Sequence, residues 1–409
     1  MYLNGEAKAD SVTFTPPTRP TVGPWLIRRA LHHLDHGRLT VVLPSGERIE
    51  HLGTTTGPHG VIELRNGGAF RRLLTRGDVG LAEGYIAGDW TSPDLTALIA
   101  LAAENVTRLE RTLEGLWPVR LCRRLGHVLR HNSAKGSRRN IAFHYDLGND
   151  FYRLWLDDSM TYSSAIALVP GKTLEQAQQA KLDRITELLA LTGDEDVLEI
   201  GCGWGGLAGR IARSSRRVTG LTLSQEQLTY ARDQLGSQGL ADHVEFRLKD
   251  YRDEIGQYDR IVSIEMLEAV GEAYWPTYFE TLRACLRPGG RIVLQAITIR
   301  EDRFESYKRS PDFIQRYIFP GGMLPTQNIL ADQARRAGLA IVTSETFGAG
   351  YADTLAEWRS RFEAAWAHVA ALGFDPAFRR LWGYYLSYCE AGFRTGTIDV
   401  GLYVLARRQ

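Results

Sequence analysis

The chain has 409 residues, 44% of them hydrophobic and 24% charged, with a formal net charge of +1. That length exceeds one ordinary compact core and predicts about two domains of unequal size, which excludes a small binding module. The composition is that of a soluble globular chain rather than a disordered one, and no stretch approaches the roughly 18 uninterrupted apolar residues of a membrane-spanning helix.

Met1 to Asp10 has neither the basic start nor the apolar core of a signal peptide, so a cytoplasmic chain is expected. Basic residues outnumber acidic ones over residues 1–139, and the balance reverses over the rest. Pro16, Pro17 and Pro20 mark an extended lead-in. Between Trp25 and Trp90, short alternating segments such as Leu39-Thr-Val-Val-Leu43 and Val61-Ile-Glu-Leu64, separated by glycine-rich turns, predict a small α+β unit, assigned as an N-terminal domain over 1–115. From Gly115 to Tyr145 no acidic residue occurs, while Arg120, Arg123, Arg124 and Arg130 alternate with Leu116, Trp117, Leu121 and Leu125. This basic amphipathic linker over 116–139 suits either an anionic membrane surface or a solvated connection. Nucleic acid is not expected, because no nucleic-acid motif accompanies the charge.

Over 140–409 helices alternate with buried strands. Thr173-Leu-Glu-Gln176 forms a capping box for a helix to about Leu191, with Leu174, Ala177, Ile185, Leu188 and Leu189 on one apolar face. Apolar runs at Val197–Ile200, Val218–Leu223, Arg260–Ile264 and Arg291–Ile297 predict a doubly wound, mostly parallel sheet, with Asp399–Leu405 as an antiparallel edge strand. Ligands of such sheets bind beyond the carboxyl ends of the strands, where the strand order reverses.

One such end carries Gly201-Cys-Gly203-Trp-Gly205-Gly206, a turn whose glycines let the backbone approach a ligand. Two readings compete for it. A dinucleotide needs an acid at the end of the second strand to hold its ribose, but that strand ends in Thr222-Leu-Ser224, and Glu226 falls in the next helix. Lys249-Asp-Tyr-Arg-Asp253 and Arg287-Pro-Gly-Gly-Arg291 instead resemble later motifs of S-adenosylmethionine-dependent methyltransferases. The four cysteines, Cys122, Cys202, Cys285 and Cys389, lack CxxC spacing, so no metal or disulfide framework is expected.

Phe143-His-Tyr-Asp-Leu-Gly-Asn-Asp150, Met160-Thr-Tyr-Ser-Ser164, Leu198-Glu-Ile-Gly-Cys-Gly-Trp-Gly-Gly206, Gly220-Leu-Thr-Leu-Ser224, Tyr317-Ile-Phe-Pro-Gly-Gly-Met-Leu-Pro325 and Phe347-Gly-Ala-Gly-Tyr351 together resemble the cyclopropane-fatty-acyl-phospholipid synthase family, which includes mycolic acid cyclopropane synthases. The resemblance implies an α/β fold: a Rossmann-like class I S-adenosylmethionine methyltransferase domain with a smaller N-terminal α+β lipid-engaging domain. The implied reaction is methyl transfer to the double bond of unsaturated acyl chains of membrane phospholipids, on the inner face of the cytoplasmic membrane. A second copy of the chain stands as a candidate partner.

By the same resemblance, Tyr162 and Ser163 would contact the methionine part of S-adenosylmethionine, and Gly201 and Gly203 would line its backbone. Thr222, Leu223 and Gln227 would hold its ribose region, Asp250 and Tyr251 would flank the adenine, and Ile264 would touch the ring. The family also holds a bicarbonate ion near the reacting carbons. Its five groups read here as Ser164, Glu268, Gln295, Ile297 and Tyr351, with Ser164 and Gln295 replacing a cysteine and a histidine. Serine and glutamine still donate hydrogen bonds, but glutamine cannot relay a proton. That tilts the expected product from a ring toward a methyl branch. Positive charge on the methylated chain would be stabilised by Glu268 with Tyr317 and Tyr351.

Glu265 and Glu268 share a face if the chain turns helical after the fourth strand. Glu265 is read as capping that helix or lining the cofactor, and His144 as part of a lid or cofactor-cleft element. The aromatic segments Trp358–Trp366 and Trp382–Phe393 suit an acyl tunnel or plain core equally. The rival functions are an NAD(P)-dependent oxidoreductase and a non-catalytic lipid-binding protein.

Overall fold

The computed structural model describes residues 34–114 and 147–408. The proline-rich lead-in, the basic segment with Arg120, Arg123 and Arg124, and His144 lie outside the described residues.

Strands β1 (His36–Val42), β2 (Arg48–Leu52), β3 (Thr55–Leu64) and β4 (Trp90–Thr91) form a sheet in the order β2-β1-β3-β4. Helix α1 (Gly68–Ile86) joins β3 to β4, and α2 (Leu95–Glu114) covers the sheet. Gly60 in β3 permits this close contact, because a Cβ there would sit 2.9 Å from the Leu98 side chain and 3.1 Å from its Cα. The expected small α+β unit is therefore present, with Trp90 buried.

The larger sheet comprises β5 (Asp196–Ile200), β6 (Arg217–Thr222), β7 (Val244–Leu248), β8 (Tyr258–Ile264), β9 (Leu286–Ile299), β10 (Leu339–Thr346) and β11 (Ile398–Arg407), in the order β10-β11-β9-β8-β5-β6-β7. Strands β5 to β9 are parallel to one another, whereas β11 is antiparallel to both β9 and β10. The structure corrects one expectation here. β11 is not the edge strand, because Val400–Leu405 is apolar on both faces and fully buried, whereas β10 exposes Val342, Thr343 and Ser344 and takes the edge. From β5 the chain steps outward to β6 and β7, then crosses back to β8. The crevice of this reversal opens at the carboxyl ends of β5 and β8.

Helices α3 (Asn149–Arg153), α4 (Leu174–Leu189), α5 (Gly206–Ala212) and α6 (Gln225–Ser237) lead into or interleave with the first strands. Thr173 caps α4 as expected: its hydroxyl accepts from the Gln176 amide at 3.2 Å, and the Gln176 side chain accepts in return from the Thr173 amide at 3.0 Å. On one sheet face Ile185, Leu189, Leu207, Ile211 and Leu228 pack on Val197, Val218, Val262 and Val293. Further on come α7 (Leu267–Val270), α8 (Trp275–Cys285), α9 (Glu301–Arg309) and α10 (Gln327–Arg336). Tyr278, Phe279, Leu282 and Leu330 of α8 and α10 cover Leu198, Ile200, Ile261 and Leu294 on the opposite face.

A third core is aromatic. Helices α11 (Gly348–Ala364), α12 (Trp366–Ala371) and α13 (Pro376–Arg394) close the fold, and Trp358, Phe362, Trp382 and Tyr385 pack with Phe151, Tyr152 and Trp155 and with Trp90, Leu95 and Leu98 of the N-terminal unit. Trp358 and Trp382 are thus plain core, and the two units share it. A buried polar tie reinforces the junction: Thr96 donates to Glu390 Oε2 at 2.9 Å, and Glu390 also accepts from Arg359 at 3.0 Å and Arg394 at 2.9 Å. Among the described residues no helix is long and apolar enough to cross a membrane.

Glu390→Ala should leave the Thr96 hydroxyl and two guanidinium groups without their acceptor and destabilise the protein by about 1–3 kcal/mol. Chemical denaturation should show a lowered midpoint, with Glu390→Gln intermediate between the two.

Candidate active site

The turn after β5 is held open by backbone shape. Gly201 (φ 80°), Gly203 (φ 51°) and Gly205 (φ 87°) all occupy the left-handed region, which strains any residue with a side chain. A Cβ on Gly203 would meet nothing within 4 Å, so the backbone there is accessible to a ligand. Two residues before the turn stands Glu199, a buried acid inside an apolar strand whose Oε2 has no hydrogen-bond partner in the protein. Burial pushes its carboxyl up to about 8. Such an atom is costly unless a ligand donor completes it. Sequence reasoning passed over Glu199, although an acid within a buried strand was itself the signal.

The sheet brings the remaining expected cofactor residues to the same edge. Thr222, at the end of β6, donates to Gln227 Oε1 at 2.9 Å and accepts from the Ser224 amide at 3.1 Å, while the Ser224 hydroxyl caps α6 at the Gln227 amide. Glu226 is exposed on α6, so no acid stands at the end of β6 to hold a dinucleotide ribose. Beyond β7, Asp250 accepts from Arg252 at 2.6 and 2.9 Å, and Tyr251 packs edge-on to Tyr278 with centroids 5.4 Å apart. Leu223 and Ile264 are half-buried at the ends of β6 and β8. The accessible glycine backbone and the unpartnered Glu199 oxygen fit a cofactor that carries hydrogen-bond donors, as S-adenosylmethionine does.

The segment before α4 runs alongside. Tyr162 and Tyr385 share a hydroxyl–hydroxyl hydrogen bond of 2.7 Å. The Ser163 hydroxyl accepts from Lys181 Nζ. Lys181 is 1% exposed, and burial lowers its ammonium to about 8 while the charges of Glu265 and Asp157 oppose that fall. It occupies the apolar face of α4 between Ala177 and Ile185, a lysine in a stripe of core positions.

The largest departure from expectation concerns Glu265. This residue sits at φ 51°, a backbone conformation rare without glycine, at the carboxyl end of β8. Its side chain does not cap α7. Oε1 accepts from the Ser164 amide at 3.2 Å and from Gln295 Nε2 at 2.6 Å, and Oε2 accepts from the Tyr351 hydroxyl at 2.8 Å. Burial raises its carboxyl, an effect that Lys181 and then Tyr351 oppose. Glu268 is the neighbouring acid: Oε1 accepts from the Ile297 amide, Oε2 is buried without a protein partner, and burial followed by the charge of Glu265 pushes it up to about 8.

These bonds bear on the implied bicarbonate. Donors at Ser164, Gln295 and Tyr351 are taken by Glu265, the Ile297 amide is taken by Glu268, and the Ser164 hydroxyl turns away to the Ala165 carbonyl at 2.7 Å. A free anion would face the Glu265 carboxyl with every backbone and side-chain N–H of the expected set already taken and only the Glu268 carboxyl unpartnered, so bicarbonate does not fit. Nor does Tyr317 join the cluster. It lies on a single π-type turn over Ile314–Ile318 and donates to Glu83 of α1 at 2.6 Å. Among the described residues no group of three His, Cys, Asp or Glu is placed to hold a metal ion.

A seven-stranded sheet with a reversed final strand and a glycine turn after its first strand defines a class I S-adenosylmethionine-dependent methyltransferase preceded by a β-rich subdomain. Within that class the chain belongs to the mycolic acid cyclopropane synthetase family, whose profile matches residues 132–402. It is 42% identical over 346 residues to a tuberculostearic acid methyltransferase of Mycobacterium tuberculosis, covering 82% of this chain and 81% of that one. It is 36% identical over 349 residues to the cyclopropane-fatty-acyl-phospholipid synthase of Escherichia coli K12, covering 85% and 87%. Among solved structures, a cyclopropane synthase from Mycobacterium tuberculosis superimposes with a TM-score of 0.62 at 29% identity, covering 69% of this chain and all of that one. Membership of a methyltransferase family removes the oxidoreductase alternative.

Glu199→Gln and Gly201→Ala should each weaken S-adenosylhomocysteine binding at least about tenfold, or roughly 1.4 kcal/mol by calorimetry, with unchanged circular dichroism.

Proposed function

We propose that the enzyme transfers a methyl group to one carbon of a double bond in an unsaturated acyl chain of a membrane phospholipid, and that the product is methyl-branched. The observation that carries this reading is the acid pair Glu265 and Glu268 at the crevice, walled by Tyr351, Phe393, Tyr162 and Tyr385. Tyr351 stacks on Phe393 with centroids 4.5 Å apart. Aromatic faces and a carboxylate stabilise the positive charge that methylation leaves on the neighbouring carbon.

When bound, S-adenosylmethionine supplies a strongly activated methyl group. The chain's own residues then bind and orient. Gly201, Gly203, Thr222, Leu223, Gln227, Asp250, Tyr251 and Ile264 hold the cofactor along the strand ends, Tyr162 and Ser163 close over its methionine end, and Glu199 receives one of its donors. Tyr351 and Gln295 fix the acid cluster, and Ser164 contributes its amide. Bicarbonate forms no part of this reading. The methyl branch is favoured by the departure of Gln295 from the family's histidine, which changes the group beside the reacting carbons where the proton leaves. The name of the tuberculostearic acid methyltransferase, at 42% identity, supports the same outcome.

The basic segment 116–139 would hold the enzyme against anionic lipid at the inner face of the cytoplasmic membrane.

Incubation with S-adenosylmethionine and oleoyl phospholipid should yield acyl chains whose proton NMR spectrum shows a methyl-branched alkene. Cyclopropane signals would refute the branched product, and unaltered chains would favour a non-catalytic lipid binder. Replacing Arg120, Arg123 and Arg124 together by Ala should weaken co-sedimentation with anionic liposomes by more than about tenfold, on the order of 1 kcal/mol for each arginine. High salt should mimic that loss.

A further inference from the structure

Proton loss from the methylated chain requires an acceptor, and neither Gln295 nor Ser164 can hold the proton. We infer that the carboxylate of Glu265 takes the place the resemblance gives to bicarbonate and is itself the base, so that this enzyme works without a free anion. The inference rests on the acyl methyl-transfer reading above.

Three observations carry it. First, Glu265 gathers donors from three separate segments: Ser164 before α4, Gln295 on β9 and Tyr351 on α11, at 3.2, 2.6 and 2.8 Å. A carboxylate and a bicarbonate offer the same pair of oxygens to such donors, and the two cannot be served at once. Second, the Gln295 amide and the Ser164 N–H can only donate to Glu265 Oε1, so both stabilise its ionised form against the burial that raises its carboxyl. Third, the surrounding charges are arranged for one ionised acid. Lys181 on α4 is a fully buried cation whose Nζ donates to Ser163, one residue from the Ser164 amide. Glu268 on α7 is pushed up to about 8 by burial and then by Glu265, and so stays protonated near neutrality. Tyr351 on α11 and Cys389 on α13 are both raised by burial and stay neutral. Two acids whose environments separate them in this way divide the roles of base and neutral donor.

The step balances. The alkene π pair forms a C–C bond to the methyl carbon while the S–C bond breaks, its pair remaining on sulfur. A C–H bond next to the resulting cationic carbon then gives its pair to a new C=C bond, and the proton passes to Glu265. No oxidant or reductant is needed.

Two measurements test this. In the first, wild-type turnover of oleoyl phospholipid is compared in carbon-dioxide-free buffer and with added bicarbonate, beside Glu265→Gln and Lys181→Met. The expected results are equal wild-type rates, a kcat loss of about 10²-fold or more in Glu265→Gln with S-adenosylhomocysteine binding retained, and an acid limb of the kcat profile moved to higher pH in Lys181→Met. The direction follows because removing the buried cation makes Glu265 easier to protonate. In the second, 13C-labelled bicarbonate is titrated by NMR against wild type and Glu265→Gly in the presence of S-adenosylhomocysteine. Line broadening only in the glycine variant is expected. Bicarbonate binding by wild type, a rate that depends on bicarbonate, or a fully active Glu265→Gln enzyme would each overturn the inference. Absence of any acyl methylation by wild type would instead remove the acyl reading, while the NMR comparison, which needs no acyl substrate, would still decide the anion site.

Discussion

Everything in the crevice is arranged around one carboxylate. Glu265 ties the segment before α4, strand β9 and helix α11 to the end of β8, and it does so from a backbone angle that a side chain ordinarily avoids. A half-buried acid in such a place must be matched by donors and by charge, or it would lose its proton affinity control and its position together. Three donors and the Lys181 ammonium provide the match. Glu268, left with one backbone amide, absorbs the remaining cost by staying neutral.

The aromatic core serves the crevice from the other side. Trp155 forms edge-to-face contacts with both Trp358 and Trp382, and Tyr162 packs among Tyr152, Trp155 and Trp358 while its hydroxyl reaches Tyr385. Because the same cluster takes in Trp90, Leu95 and Leu98, the N-terminal unit is packed directly against the wall that carries Tyr162 and Tyr385. The N-terminal unit and that wall are thereby joined through closely packed rings.

Local signals were legible in the sequence. The capping box at Thr173 and Gln176, the glycine turn and the four apolar strands depend on neighbours within a few residues, and each is found within a residue or two of its expected position, apart from β9, which begins five residues earlier. The family segments likewise led to Ser164, Gln295 and Tyr351, which the structure gathers on Glu265, and to Ile297, whose amide serves Glu268. What the sequence hid was that Glu265 collects these donors. Glu265 is covered by donors 30, 86 and 101 residues away, and no local pattern distinguishes it from a helix cap. Lys181 was hidden for a different reason, since a lone lysine within an apolar stripe looks like a tolerated surface position until a buried acid is found opposite. The position of β11 was missed because strand order is decided by which strands can be buried on both faces, not by their sequence order.

That insertion of β11 between β9 and β10 has a consequence for how the protein is made. Strand β10 leaves the ribosome before its sheet neighbour exists, and residues 347–397 must follow before β11 can pair with either side. At ordinary synthesis rates the interval is about 3–10 s. Throughout it the free side of β9, from Arg291 to Ile299, is an apolar strand edge open to pairing with other chains. Pairing of the last strand closes β9 and β10 together, so both edges are covered in a single step.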